Sequence, residues 1–208
     1  MKNTSNFPKV LFNVAWLSVG LGLAMEIILL IVAAGFGKSQ AWQPIVADLV
    51  QKVSWSSLVC MGVAVGTAVS KMRAPLMGLA GLIAAPIAFS VAKALHKSAT
   101  QALSIPFTVM TGPSPLLLAF MKGLEYAVLG SLIGWVGSKS HLGLRVYALI
   151  GLGVGMVFGG AILWITVQQT STAIPLAGLV SRGVNEVIFP VGCSLVLYAA
   201  QQFGIRQK

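Results

Sequence analysis

The chain has 208 residues, 57% of them hydrophobic and 9% charged, with a mean hydropathy of +0.90. This excludes a water-soluble domain: at roughly 20 apolar residues per crossing of a ~30 Å hydrocarbon core, the length holds about six crossings and no separate soluble unit. The net charge of +10 would point to nucleic acid in a soluble protein, but Lys and Arg cluster at the ends of apolar runs, so membrane topology accounts for it and no nucleic-acid partner is expected.

The head of the chain carries basic residues before an apolar run from about Val10 to Phe36. That run is too long for a signal h-region and lacks a small-residue cleavage site, so it reads as a retained first helix. Glu26 lies near its middle with no basic residue three or four positions away. Its carboxylate therefore needs a partner on another helix, or a proton. A polar stretch follows to Val53, in which Ile45, Val46, Leu49 and Val50 have the spacing of a short interfacial helix, with a plain loop as the alternative. Gly37-Lys38-Ser39 echoes the end of a phosphate-binding loop, but Val32 stands where that pattern needs a glycine, and the reading is rejected.

The second run, Ser54 to Val69, places Gly62 and Gly66 at the small-xxx-small spacing that lets helix backbones approach. The third, Pro75 to Leu95, contains Pro86 and ends with Lys93, His96 and Lys97, whose long side chains can reach headgroups. Residues 98–115 are rich in turn formers and connect two halves. The fourth run, Leu116 to Val136, holds Lys122 and Glu125 at i and i+3, close enough to pair on one face. Lys139, His141 and Arg145 follow. The fifth, Val146 to Val167, is dense in glycine and predicts close packing over most of its length. The sixth, Pro175 to Ala200, is apolar enough to cross yet carries Arg182, Asn185, Glu186 and Pro190. A charge at the bilayer centre costs at least ~2.5–3.5 kcal/mol on insertion scales, which makes these residues site candidates. Cys60 and Cys193 fall inside apolar runs and read as packing residues.

The two halves share a pattern. Pro75-Leu76-Met77-Gly78-Leu79 matches Pro175-Leu176-Ala177-Gly178-Leu179, and the same spacing separates Phe89 from Phe189. Glu26 falls on Glu125, and Gly62 and Gly66 on Gly155 and Gly159. Three crossings per half would insert the second half upside down. Loop charge agrees: Lys2, Lys9, Lys71, Arg73, Lys139, Arg145, Arg206 and Lys208 fall on one side, while the loop Gln168 to Ala173 has no cation. The expected fold is an all-α integral membrane protein of six transmembrane helices in a 3+3 inverted-topology repeat. Residues 1–97 form the first unit, 98–115 the connection and 116–208 the second. Pro86 and Pro190 are expected to break the third and sixth helices, as in transporters with midplane sites. The expected location is a bacterial plasma membrane with both termini cytoplasmic.

Three of the four acids in the chain, Glu26, Glu125 and Glu186, fall near the middle of apolar runs. The expected function is a small permease moving a solute or cation through a polar cavity lined by these glutamates, with Asn185, Arg182 and Lys122 on the pathway. The alternative is a scaffold, assembly or substrate-binding subunit of a larger membrane complex, with Lys122–Glu125 and Arg182–Glu186 as internal ion pairs. Partners beyond the bilayer would then be a second copy or other membrane subunits. No His-Glu-x-x-His or Cys/His cluster is present, so neither enzyme chemistry, cofactor nor metal is expected.

Overall fold

The computed structural model describes residues 7–68, 72–106, 112–139, 143–170 and 173–206. Lys2, Lys71, His141 and Lys208 lie outside these residues. Six helices run in chain order: α1 (Phe7–Gly35), α2 (Trp42–Val65), α3 (Arg73–Ala102), α4 (Pro115–Val136), α5 (Leu144–Gln169) and α6 (Leu176–Arg206). All but α2 are long and apolar enough to cross a membrane. Large apolar side chains such as Phe12, Trp16, Ile31, Ile83, Leu149 and Trp164 are exposed around the exterior, the surface a helical membrane protein turns to lipid.

Helix ends follow local chemistry. α1 stops because Gly37 takes φ +69°, with Gly37 N–H donating to Ala34 O (2.9 Å) and Lys38 N–H to Ala33 O (3.1 Å). This is a Schellman cap, and the Gly-Lys-Ser string is its terminator. α3 ends the same way on Ser104 at φ 54°, with Ile105 N–H donating to Thr100 O. α4 begins at Ser114-Pro115: the serine hydroxyl accepts from Leu117 N–H at 3.2 Å, and Pro115 occupies a position that needs no N–H.

Three expectations are corrected. The polar stretch before Val53 is neither loop nor separate interfacial helix but the first half of α2, with Pro44 in its first turn, where a missing N–H costs nothing. α3 continues past Leu95, where the third apolar run ends, to Ala102. Pro86 and Pro190 do not break their helices, which run through both residues. The carbonyls that these prolines leave without an in-helix donor are those of Leu82 and Glu186. Each faces a glycine of the next helix: a Cβ on Gly123 would lie 3.1 Å from Leu82 O, and one on Gly159 would lie 3.3 Å from Glu186 O. A glycine there lets the neighbouring backbone approach the freed carbonyl, so the helix keeps its course. Among the described residues, α5 contains a π segment, Gly155–Gly159.

Neighbouring helices are antiparallel and meet through glycine. Gly22 of α1 packs on the Val53 backbone of α2, where Ser56 Oγ–H also donates to Ser18 O at 2.7 Å. Gly62 of α2 and Gly66, the residue that caps it, pack on Ala84 and Met77 of α3. Gly81 and Gly130 join α3 to α4 against the backbone carbonyls of Tyr126 and Met77. Gly151, Gly155 and Gly159 of α5 lie on Val191, Val187 and Glu186 of α6, and α6 closes on α1 through Gly192 and Leu21. Arg73 donates to Gly137 O at 3.1 Å, placing its charge on the C-terminus of α4, where a cation is favoured.

Candidate functional site

The α1–α2 contact steps along antiparallel axes from Ser18–Ser56 through Gly22–Val53 and so brings Lys52 opposite Glu26. Lys52 Nζ lies 2.5 Å from Glu26 Oε2 and 4.0 Å from Asp48 Oδ2. The ammonium approaches Oε2 outside good hydrogen-bond geometry, so this is foremost a charge contact. The partner that Glu26 required on another helix is therefore Lys52, a residue the sequence had hidden in an apparent loop. Asp48 is shared, since His96 Nε2 of α3 lies 3.1 Å from its other oxygen.

A second cluster forms where α4 meets α6. Lys122 and Glu125 are one turn apart on α4 and pair at 2.7 Å. Lys122 also donates to Glu186 Oε2 of α6 at 2.5 Å. One ammonium thus serves two carboxylates, and Glu125 is fully buried with Oε1 unpartnered among the described residues. Glu186 lies against the π turn of α5, where Gly159 leaves no room for a side chain next to the Glu186 Cβ. The intrahelical Arg182–Glu186 pair expected at i and i+4 does not form, because Glu186 turns to Lys122.

Both clusters border one cavity of about 660 Å³, within the range of small-molecule sites. Its wall includes Asp48, Lys52, Lys122, Arg182, Asn185 and Glu186, with Glu26 behind Lys52 and Glu125 behind Lys122. All four acids of the chain therefore lie on or just behind this cavity. Trp55 and Phe89 are apolar wall, stacked edge to face at 6.4 Å, and Tyr126 continues the row beneath Trp55 at 5.6 Å. Phe189 of α6 also lines the cavity. The lining comes from the C-terminal parts of α1, α3 and α5 and the N-terminal parts of α2, α4 and α6. The cavity thus occupies the half of the bundle away from the two chain ends.

Of the residues picked from the sequence, Lys122, Arg182, Asn185 and Glu186 line the cavity, Glu26 and Glu125 stand behind lysines of its wall, and Pro86 and Pro190 are not among the lining residues. Sequence reasoning missed Asp48, Lys52, Trp55 and Phe89 as wall, and read Lys93 and His96 only as headgroup-reaching. Lys93 is exposed at the rim, its Nζ 4.6 Å above the Phe89 ring, and His96 holds Asp48. Among the described residues, no group of three or more His, Cys, Asp or Glu is placed to hold a metal ion. Comparison with family models, with curated proteins and with solved structures finds no match, so function is argued from this site alone.

Proposed function

We propose that the protein is a small membrane permease that carries a small solute through this cavity. The observation that carries the reading is the cavity itself: a space of about 660 Å³ inside a lipid-facing helical bundle, on which every acid of the chain converges. Placing charges there is expensive in a membrane unless water or a ligand shares the space. The carboxylates are all engaged by lysines or His96, so none stands free to ligate a bare cation, and the favoured cargo is an organic solute. The chemistry is binding and movement, not catalysis.

The reading takes α2 as a sixth crossing and both termini as cytoplasmic in a bacterial plasma membrane. Alternating helix direction and the excess of Lys and Arg at the helix ends on the side of the termini support it. An inverted repeat is supported by three correspondences. Phe89 and Phe189 line the same cavity, Glu26 and Glu125 each pair with a lysine, and the glycine stripe of α2 packs on α3 as that of α5 packs on α6. A second reading, a substrate-binding or scaffold subunit of a larger complex, is favoured by the use of the carboxylates as ties between helices.

The two readings separate in vesicles. The reconstituted protein should take up at least one member of a panel of small organic solutes, and Asn185→Trp, which fills the cavity, should abolish uptake while preserving the folded state. Absence of flux for the whole panel, with a membrane protein co-purifying from native membranes, would favour the subunit reading.

A further inference from the structure

The chain contains four acids, and each has a cation: Glu26 and Asp48 share Lys52, Asp48 also meets His96, and Glu125 and Glu186 share Lys122. Arg182 is left over. Half-buried in the cavity wall, it makes no ion pair or side-chain hydrogen bond with any described residue, and no further acidic side chain exists to serve it. Each cluster holds one carboxylate more than it has lysines, yet none of these carboxylates reaches the guanidinium, whose donors the described residues leave unmatched. Its planar fork of donors matches a carboxylate or phosphate. Around it on the same wall stand Ser181 and Asn185, one turn or less away on α6, and Thr166 of α5. Lys93 adds a second cation without a carboxylate at the rim. The Trp55, Phe89 and Phe189 surfaces offer room for an apolar body.

Resting on the solute-cavity reading above, we infer that the cargo carries an anionic group, a carboxylate or a phosphate, which docks on Arg182 with Lys93 at the cavity entrance, while its apolar part lies along the aromatic wall. The same chemistry is available from a free organic anion or from an anionic lipid headgroup.

The test uses the full chain in phosphatidylcholine nanodiscs, with intrinsic tryptophan fluorescence and thermal shift as readouts. The probes are benzoate and phenyl phosphate, with benzamide as the neutral and benzylamine as the cationic isostere. Benzoate or phenyl phosphate should bind at least about tenfold more tightly than either isostere, and Arg182→Gln should remove about tenfold or more of that affinity. Arg182→Lys, which keeps the charge but not the fork, should fall between. Because Arg182 ties no helices together, the Arg182→Gln protein should melt no lower than wild type, which separates lost binding from lost fold. Repeating the titration in phosphatidylglycerol discs distinguishes the sources: Arg182-dependent competition assigns the anion to the lipid, and unchanged benzoate binding assigns it to a free solute. Preference for benzylamine, or anion binding that ignores Arg182→Gln, overturns the inference. Binding of benzamide or benzylamine alone would leave the solute cavity standing without its anionic cargo. If no probe binds the folded wild type, the solute-site reading falls too.

Discussion

Lys122→Met is the substitution whose cost the structure defines best. The side chain is 9% exposed and its ammonium is the sole described partner of both Glu125, which is fully buried, and Glu186. Methionine keeps the length and apolar stem but removes the charge, so the cluster passes from one surplus negative charge to two. Removing one partner of a buried ion pair typically costs about 3–5 kcal/mol, because the remaining charge is stranded out of water. For a chain of this size roughly 2–4 °C of melting temperature accompany each kcal/mol, so the expected fall is about 6–20 °C. Intrinsic tryptophan fluorescence during heating in mild detergent measures it, with size-exclusion homogeneity as a check on insertion. Lys122→Met/Glu125→Gln/Glu186→Gln removes all three charges and should recover most of the loss. If Lys122→Met melts like wild type, or the triple variant is no better than the single, the charges are not coupled as described.

Glu26→Gln should cost about 1–3 kcal/mol, by loss of a charge-assisted contact, and Glu26→Gln/Lys52→Gln should cost less than the sum of the singles, as a double-mutant cycle will show. Gly81→Ala and Gly130→Ala place a Cβ against the backbone carbonyls of Tyr126 and Met77 and should destabilise by about 1–3 kcal/mol. Gly20→Ala and Gly153→Ala meet open space within helices and should be neutral or stabilising by up to about 1 kcal/mol in the same melting assay. Single cysteines near residues 3 and 207, in a background lacking Cys60 and Cys193, should label from one face of the membrane, and a cysteine at Gln40 from the other. Labelling of the two termini from opposite faces would remove the inverted repeat.

The sequence made the scarce features legible. Five apolar runs became five long helices, and in a chain with only four acids the position of Glu26, Glu125 and Glu186 inside such runs pointed at one polar centre. What it concealed were contacts between helices. Asp48, Gln51 and Lys52 made the first half of α2 look like a loop, although the same residues give that helix its cavity face. The Glu26–Lys52 pair depends on the packing of α1 against α2, which no local periodicity encodes. Glu186 had two possible partners, and it turns to Lys122 on α4 rather than to Arg182 on its own helix. Pro86 and Pro190 suggested breaks because the glycines that receive their freed carbonyls lie on other helices.

Movement of a solute requires that the cavity be reached from both faces of the membrane, which a static binding or scaffold subunit does not need. The most direct measurement is the labelling rate of Asn185→Cys, in oriented vesicles of protein lacking Cys60 and Cys193, by an impermeant maleimide added to one face at a time. The account predicts modification from the face opposite the termini, a slower modification from the terminal face, and a change in their ratio when transported solute is present. Modification from a single face under all conditions, with the protein folded, would contradict it.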